Sequence, residues 1–348
     1  MSKIGKRLIA VHGTSVEVER FDEPEPGLGQ ALVRIHRTQV SGGTEIASFL
    51  GETKGERPKR RRRFGYTAVG HVISVGPEMD RLNPGDRVLT MCNHSTHCLT
   101  GKASDSGDPE SVQYVTSEQS TLYPIDVDIT DEQAVFAGPL GGVALQGVRR
   151  AELQIGESVA IVGQGVVGQM VTAYCRLSGA YPVIAIDLDD KRLALSKISG
   201  ATHTINSSKQ DPVEAIRKLT ENGAESVFFV TRVPGPIVDC INAAAPRGKV
   251  IIVGYAPGDV QIELVTPMLH ELDIRAVYDG GTDEEPHPYM PWVPSRNYNT
   301  IMGMIARGDL KVDHLISHVA KPEDANELYQ KMLSGPTGWM SVLFDWND

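Results

Sequence analysis

The chain has 348 residues, with 34 lysines and arginines against 44 aspartates and glutamates, so its formal net charge is −10. This length exceeds what one hydrophobic core usually serves and predicts two domains, while 41% apolar and 22% charged residues exclude a disordered chain. No stretch approaches 18 consecutive apolar residues, and the basic N-terminus lacks a long apolar run, so we expect neither a transmembrane helix nor a secretory signal.

The first 124 residues contain short apolar runs that are broken by glycine and proline. Runs of this kind at 31–40 and 69–76 predict β-strands in a compact antiparallel module. Two polar segments, 54–63 and 99–110, lack periodicity, so we expect them to be exposed loops.

The pattern of apolar residues changes in the next zone, 125–277. Continuous apolar strands, beginning with 158–163, alternate with helical patterns such as 166–180. Strand–helix alternation with fully apolar strands predicts a parallel sheet that is covered by helices on both faces. The last zone, 278–348, begins with a stretch rich in proline and aromatic residues and ends on a strand pattern.

The strongest motif is a Gly-x-Gly-x-x-Gly sequence at the junction of the first parallel strand and its helix. It consists of Gly163, Gln164, Gly165, Val166, Val167 and Gly168. In this context the first glycine allows a tight turn, the second lets the backbone approach a pyrophosphate, and the third lets helix and strand pack closely. Because the start of a helix offers N–H groups to phosphates, the motif predicts a dinucleotide-binding site.

The next apolar strand ends at Asp187, 19 positions after Gly168. A carboxylate there accepts hydrogen bonds from the adenosine ribose and repels a 2′-phosphate, so the sequence favours NAD(H) over NADP(H). Lys191 and Arg192 weaken this preference, because an arginine can hold a 2′-phosphate. We therefore keep Arg192 as a candidate cofactor contact, the alternative being a solvated first turn of the helix.

These motifs and several others resemble one protein family over nearly the whole chain. The segments GGTE at 42–45, GYTAVGHVISVG at 65–76, NPGDRV at 83–88 and the stretch 134–168 are similar to segments of the medium-chain dehydrogenase/reductase, or alcohol dehydrogenase, superfamily. The resemblance implies an α/β fold in which a mostly-β, GroES-like catalytic domain is combined with a Rossmann nucleotide-binding domain.

The resemblance also implies how the chain is divided. The GroES-like domain would be discontinuous, formed by 1–124 and 278–348, and the Rossmann domain would be 125–277. We expect the active site in the cleft between them, as ligand sites at domain interfaces usually are. The family further implies a homodimer that is joined through the nucleotide-binding domains. For an acidic chain without a signal peptide, we expect the cytoplasm.

The resemblance also allows the positions of zinc ligands to be compared. Many members of the family bind zinc at the catalytic centre through a cysteine, a histidine and a third cysteine or acid. Here the first two positions hold Gly42 and Tyr66, and the segment 137–140 near the third contains neither thiol nor carboxylate. Because a catalytic zinc needs three protein ligands, we expect none.

Structural zinc in the family uses four closely spaced cysteines, and only Cys92 and Cys98 are close together here, so we expect no structural zinc either. The stretch between them also contains His94 and His97, a density that could bind a metal. Its spacing matches no zinc pattern, and a strand end whose side chains alternate between core and cleft is the better interpretation.

Without zinc, polar side chains must polarise a carbonyl and move a proton. Tyr66, at a ligand position, is the candidate donor to a developing alkoxide, and Thr44 matches the relay hydroxyl of the family. Glu45 matches the acid that orients the zinc-bound histidine and would suit acid–base work; His94 could line the cleft and shuttle protons. The alternatives are a space-filling tyrosine, a turn hydroxyl, an acid paired with an arginine, and a histidine in a surface loop.

The basic run from Lys59 to Arg63 leads directly into Gly65 and Tyr66. It lacks interleaved aromatic residues, so it is poor evidence for nucleic-acid binding, and we expect no nucleic-acid or membrane partner. Arg63 could attract an anionic small-molecule substrate, although a solvated loop is the more common structure. Trp292 and Arg296 could stack on or clamp a polar substrate, or could pack between domains.

The sequence thus predicts a zinc-independent oxidoreductase that moves a hydride between NAD(H) and a secondary alcohol or ketone. A polar polyol, sugar or cyclitol of a biosynthetic pathway, phosphorylated or not, is the expected substrate. Two alternatives stay open. One is an NADPH-dependent quinone or enoyl reductase that acts on a C=C bond, which Asp187 disfavours, and the other is a non-enzymatic nucleotide-binding protein.

Overall fold

The computed structural model describes residues 4–11, 15–50, 61–101, 122–278, 288, 291–335 and 337–347. Its chain divides into two compact units. Unit 1 consists of Met1–Pro139, Gly280–Gly308 and Ile316–Asp348, and unit 2 consists of Leu140–Asp279 and Asp309–Leu315. Within the described ranges, no helix combines the length and the apolar character needed to cross a membrane.

The described residues form strands and helices throughout both units. The strands are β1 (Ile4–Val11), β2 (Ser15–Asp22), β3 (Gln30–Gln39), β4 (Arg62–Arg63), β5 (Ala68–Val75), β6 (Arg87–Thr90), β7 (His97–Gly101), β8 (Leu122–Pro124), β9 (Val159–Val162), β10 (Val183–Asp187), β11 (His203–Asn206), β12 (Ala224–Phe229), β13 (Ala244–Ile252), β14 (Asp273–Ala276), β15 (Ile316–Ala320) and β16 (Ser341–Asp345). The helices are α1 (Gly42–Phe49), α2 (Asp131–Ala134), α3 (Pro139–Ala151), α4 (Val166–Leu177), α5 (Asp190–Ser199), α6 (Pro212–Thr220), α7 (Ile237–Ala243), α8 (Val265–Leu269), α9 (Pro294–Ala306) and α10 (Ala325–Ser334).

Unit 1 is mostly β-structure. Its larger sheet has the order β15-β16-β3-β5-β6-β8, with β7 also paired to β3, and a smaller sheet has the order β2-β1-β4. The pairs are antiparallel except for β15 with β16. Its core joins residues that are far apart in the chain, such as Val33, Val72 and Phe344, because the two outer segments of the chain meet in one sheet.

Unit 2 is built on a parallel sheet with the order β11-β10-β9-β12-β13-β14. Strand β9 is buried at every position, as expected for a strand that is covered on both faces. The chain adds strands on one side of β9 and then returns to add strands on the other. The order of strands therefore reverses beside β9, and the carboxyl ends at such a reversal are where α/β sheets bind ligands.

Local signals account for the ends of several helices in unit 2. Helix α5 begins where the side chain of Asp189 accepts from the N–H of Lys191, and it ends at Gly200, whose φ is 112°. Helix α6 begins with Pro212 after Asp211, whose side chain accepts from Glu214 N. The predicted fold class, a mostly-β unit together with a Rossmann-like parallel unit, is confirmed.

The division of the chain differs from the predicted bounds in two places. Residues 125–139 belong to unit 1, where Asp131 forms ion pairs with His36 at 2.7 Å and Arg87 at 2.6 Å. Residues 309–315 belong to unit 2, where His314 Nε2 lies 2.9 Å from Ser199 Oγ. Sequence patterns predicted the elements but not these long-range contacts, which set the bounds.

The two segments predicted to be exposed loops lie partly outside the described residues, which include 61–63 and 99–101. Except for Arg61, which is exposed and precedes a strand, those residues are in strands. Arg62 and Arg63 form β4, which pairs with Ile9 and Ala10 of β1, and 99–101 end β7, which pairs with β3. Pairing with a neighbouring strand thus overrides the polar composition of both segments.

Candidate active site

The glycine loop has the geometry that its three glycines predict. Gly163 follows β9 with a φ of 100°, a conformation that favours glycine. A Cβ atom at Gly168 would lie 1.9 Å from the carbonyl oxygen of Gly163, so only glycine lets α4 approach the strand. A Cβ atom at Gly165 would meet no described atom within 4 Å. The middle glycine thus has an open side, as a loop that receives phosphates requires.

The remaining loop residues contribute mainly through their backbone. The side chain of Gln164 is fully buried and accepts hydrogen bonds from Ser196 Oγ at 2.8 Å and Thr172 Oγ1 at 3.2 Å, so it is a core residue and does not face a cofactor. Val166 and Val167 begin α4 and are half-buried. Their N–H groups belong to the first turn, which has no intrahelical acceptors.

Asp187 ends β10 beside this loop. Its Oδ2 accepts from the N–H of Gln164 at 2.7 Å, and its Oδ1 accepts from the N–H of Asp189 at 3.0 Å. The structure thus brings the predicted ribose-binding acid and the glycine loop together. Arg192 lies in the first turn of α5, half-buried, and its carbonyl oxygen accepts from Gln169 Nε2 at 2.9 Å.

In unit 1, helix α1 brings Thr44 and Glu45 beside Tyr66. Glu45 is buried; its Oε1 accepts from the backbone N–H of Ser41 at 2.8 Å, and its Oε2 accepts from the hydroxyl of Tyr329. Glu45 therefore pairs with a phenol and an amide, where the sequence had left an arginine open. Burial, together with the charge of Glu45, raises the pKa of Tyr329, so its hydroxyl stays protonated and keeps donating.

His94 completes this buried cluster and does not line a cleft, so its predicted role as a proton shuttle facing the substrate is wrong. Its side chain is 0% exposed. Its Nε2 lies 3.4 Å from Glu45 Oε2, and its Nδ1 lies 2.7 Å from Thr38 Oγ1. Backbone hydrogen bonds from Leu8 N to His94 O and from His94 N to Phe64 O place the histidine next to Gly65, where a Cβ atom would lie 2.6 Å from the imidazole ring. His94 can support Glu45 but cannot contact a substrate.

Tyr66 is half-buried, and its hydroxyl donates to Ser41 Oγ. It lines a pocket of about 20 Å³, large enough for about one water molecule, together with Thr44 and Glu45. The other lining residues are Ser48, Phe49, Phe64 and Gly65. Three of the four predicted catalytic residues therefore share one pocket.

The positions at which the resemblance places catalytic zinc ligands do not fit a zinc ion. A Cβ atom at Gly42 would lie 2.4 Å from the ring of Trp339. In the segment 137–140, near the third position, a Cβ atom at Gly138 would lie 2.8 Å from the methyl group of Thr67. The hydroxyl at the histidine position, that of Tyr66, is bonded to Ser41. Over the part of the chain that is described, no group of three or more His, Cys, Asp or Glu side chains could hold a metal ion.

The four candidate ligands between Cys92 and Cys98 also diverge. His94 belongs to the buried cluster, whereas His97 Nε2 lies 3.2 Å from Glu23 Oε2. Both thiols are buried. A hydrogen bond with Cys98, reinforced by burial, raises the pKa of Cys92.

The consecutive arginines before Tyr66 point in different directions, and Lys59 and Arg60 lie outside the described residues. Arg61 forms ion pairs with Glu17 and Glu19. Arg62 donates to Ser48 Oγ, a residue that lines the pocket, whereas Arg63 lies where its charge acts on the thiol of Cys92. Because neighbouring side chains of a strand point to opposite faces, Arg62 rather than Arg63 contacts a residue that lines the pocket.

Trp292 and Arg296 contact each other. The guanidinium carbon of Arg296 lies 4.1 Å from the centre of the Trp292 ring, a cation–π arrangement at the start of α9. Among the described residues, the set that lines the Tyr66 pocket does not include either of them. Their predicted role as a substrate clamp stays a prediction.

Three residues of the site were missed by sequence reasoning, namely Ser41, Tyr329 and Trp339. A serine immediately before a helix is a recognisable N-cap signal, so Ser41 could have been identified. Tyr329 and Trp339 follow the site by almost the length of the chain, and no local pattern connects them to Glu45 or Gly42.

Two family models match this chain. One, described as the alcohol dehydrogenase GroES-like domain, matches residues 27–126, and the other, described as zinc-binding dehydrogenase, matches residues 166–295. The chain belongs to the medium-chain dehydrogenase/reductase superfamily. The predicted family is thereby confirmed.

Relatives within the superfamily align over nearly the full chain. The L-threonine 3-dehydrogenase of Pyrococcus abyssi is 27% identical, over 96% of this chain and 98% of the relative. The sorbitol dehydrogenase of Rattus norvegicus is 25% identical, over 98% and 96%. The crystal structure of benzyl alcohol dehydrogenase from Acinetobacter calcoaceticus shares the fold with a TM-score of 0.81 at 18% identity, over 99% of both chains.

Proposed function

We propose that this superfamily member is a zinc-independent oxidoreductase that transfers a hydride between NAD(H) and a secondary alcohol or its ketone. The observation that carries the proposal is the close packing of Gly42 against Trp339 and of Gly138, in the segment near the third ligand position, against Thr67, beside Tyr66, which lines a pocket. The names of the relatives, which include threonine, sorbitol and galactitol-1-phosphate dehydrogenases, support the alcohol or polyol substrate class.

The residues of unit 1 supply the proton chemistry. When bound, the nicotinamide ring of the cofactor gives or takes the hydride. In the direction of reduction, the Tyr66 hydroxyl donates a hydrogen bond to the ketone oxygen and transfers its proton to the alkoxide that forms. Water then returns a proton to the phenolate, and Thr44, which lines the same pocket, offers a hydroxyl for that transfer. Oxidation of the alcohol is the reverse of these steps.

The residues of unit 2 fit a dinucleotide. The N–H groups at the start of α4, beside the open face of Gly165, would bind the pyrophosphate. The carboxylate of Asp187 would accept from the ribose hydroxyls and exclude a 2′-phosphate, which favours NAD.

The pocket also bears on the substrate. Arg62 is fixed by its hydrogen bond to Ser48, on the wall of the pocket. A guanidinium there would attract an anionic group on the alcohol, such as a phosphate or carboxylate. We therefore assign to Arg62 the role that the sequence suggested for Arg63, within the proposed class of polyols, sugars or cyclitols, phosphorylated or not.

The test is an absorbance screen at 340 nm with polyols, cyclitols, secondary alcohols, enones and quinones, with both cofactors, before and after chelator treatment. We expect NAD-dependent oxidation of an alcohol by protein whose zinc content, measured by plasma mass spectrometry, is far below one ion per chain. Loss of activity on chelation would refute zinc independence. Turnover only with NADPH and an enone would replace the proposed reaction by reduction of a C=C bond.

A further inference from the structure

We infer that Ser41 is a positioning residue for Tyr66, a role that it takes instead of capping helix α1. The inference rests on the proposed function, because it assigns the group that aims the proposed proton donor. It depends on three features of the described residues, namely an N-cap serine without a cap bond, a buried carboxylate that holds its backbone, and a phenol that contacts its hydroxyl.

The first feature is the missing cap. Ser41 is the N-cap residue of α1, and a serine at this place normally accepts a hydrogen bond from an N–H of the first turn, which stabilises the helix. Among the described residues, the side chain of Ser41 makes no such bond. Its Oγ instead accepts from the Tyr66 hydroxyl. A sequence that gives up a local stabilising interaction in this way commonly does so at a functional site.

The second feature is the anchoring of the Ser41 backbone. Glu45 holds it through two hydrogen bonds. Its Oε1 accepts from Ser41 N at 2.8 Å, and its own N–H donates to Ser41 O at 2.9 Å. The carboxylate is in turn held by the hydroxyl of Tyr329 and lies beside His94. Ser41 is only 3% exposed, so its hydroxyl has little freedom to turn elsewhere.

The third feature is the chemistry of the contact. A serine hydroxyl can both donate and accept a hydrogen bond. While Tyr66 donates to Ser41, its hydroxyl is held in position but takes no part in proton transfer. When Tyr66 turns its hydrogen to a ketone oxygen, the Ser41 hydroxyl can donate to the phenol oxygen and stabilise the phenolate that proton transfer leaves. No proton is gained or lost at Ser41 in this exchange.

The experiment compares Ser41→Ala with Ser41→Thr and with Thr130→Ala. Thr130 caps α2 in the same unit with a real capping box, so its alanine variant is a matched control for the loss of an N-cap hydroxyl. We expect Ser41→Ala to lower kcat about 10- to 100-fold, with the KM for NAD unchanged, and to shift the pH profile of kcat. Ser41→Thr should restore most of the activity, and Thr130→Ala should reduce thermal stability while leaving kcat unchanged.

A second readout does not need turnover. Protein labelled with 3-fluorotyrosine gives a fluorine resonance for Tyr66, which its absence in Tyr66→Phe identifies. We expect this resonance to move in Ser41→Ala and to keep its position in Thr130→Ala. If it stays in place and kcat is unchanged in Ser41→Ala, the inference is overturned. If the wild-type chain oxidises no alcohol while the resonance still moves, the proposed function fails and the contact stands.

Discussion

At the scale of single residues, two glycines of unit 1 are packed so closely that a side chain at either would meet a neighbouring atom. A Cβ atom at Gly42 would lie 2.4 Å from the Trp339 ring, and one at Gly138 would lie 2.8 Å from the methyl group of Thr67. This packing supports the proposal that the site works without zinc, because a ligand side chain at Gly42 would require Trp339 to move.

The filled space at Gly42 gives a stability prediction. We expect Gly42→Ala to lower the free energy of unfolding by about 1–3 kcal/mol, because the new methyl would lie 2.4 Å from an indole ring that its own N–H ties to Gly335 O at 3.0 Å. Gly43→Ala is the matched control: no described atom lies within 4 Å of its Cβ position, and alanine favours a helix by up to about 1 kcal/mol. Urea unfolding measures both, and equal effects would contradict the prediction.

We propose that the charge of Asp187 decides the cofactor preference. We expect Asp187→Asn to reduce the preference for NAD over NADP about tenfold or more, because the amide cannot repel a 2′-phosphate and accepts more weakly from the ribose. The asparagine oxygen can still accept from Gln164 N, as Asp187 does at 2.7 Å, while its amide group gives up the bond from the N–H of Asp189. Calorimetric dissociation constants for both cofactors measure the ratio, and an unchanged ratio would sink the selectivity argument.

The residues that the sequence identified are those with a local signature. The glycine loop is contiguous, and Tyr66 and Gly42 lie inside short family segments, so each could be located without knowledge of the fold. His94 was misplaced because its burial depends on Thr38, Glu45 and the loop at Gly65, which come from other parts of the chain. A single sequence also does not show which of two neighbouring arginines contacts Ser48, because that depends on how β4 pairs.

At the scale of elements, helix α2 is held to the large sheet of unit 1 by its first residue. Asp131 receives hydrogen bonds from His36 and Arg87. Burial alone would raise the pKa of Asp131, but these two partners prevail and lower it from 3.8 to about 2. The same contacts explain why residues 125–139 belong to unit 1, which the sequence rhythm alone did not reveal.

The loss of folding stability at acid pH follows from the contacts of Asp131 with His36 and Arg87. Because the pKa of Asp131 is lower in the folded chain than in the unfolded chain, its contribution is fully present above about pH 4 and is lost as the pH falls towards 2. We expect Asp131→Asn to remove roughly 2 kcal/mol of stability at pH 7 and to flatten the decline between pH 4 and 2. Asp128→Asn, at an exposed position of the same segment, is the control. Urea unfolding at each pH gives the comparison, and parallel curves for both variants would disprove the assignment.

The strands and helices were easier to predict than the segments with which they pair. The apolar strands and the helices between them gave the parallel sheet of unit 2, because side-chain periodicity is local. The pairing of β16 with β3 and the assignment of 309–315 to unit 2 depend on contacts between distant segments. Periodicity carries no information about those contacts.

At the scale of the whole molecule, we propose that two copies of the chain associate through unit 2. Strand β14 ends the order of the parallel sheet, and neighbouring helix α8 has no buried residue within the described structure. Large apolar side chains are exposed on both elements, namely Leu269 at 70%, Met268 at 65%, Val265 at 52% and Ile274 at 46%. An apolar surface of this kind beside a sheet edge is typical of a protein–protein interface. The cytoplasmic location stays a prediction.

The proposed association of two copies is tested by introducing a charged residue into the apolar surface of unit 2. We expect the chain to sediment as a dimer and Leu269→Glu to shift it to a monomer, because a carboxylate would have to be desolvated in the interface. Val319→Glu, at an exposed apolar position of β15 in unit 1, is the control and should leave the dimer intact. A wild-type monomer, or a dimer that survives Leu269→Glu, would contradict the proposal.

The bond between Tyr329 and Glu45 joins residues that are 284 positions apart in the chain. Glu45 therefore leaves the ribosome long before Tyr329 has been synthesised. The parallel sheet of unit 2, by contrast, has all its strands once β14 has been made. Non-local contacts form slowly, because the chain between them must first be closed into a loop. The parallel sheet of unit 2 can therefore form during synthesis, whereas Glu45 gains its phenol donor, and β3 gains its partner β16, only after residues 329–345 have been made.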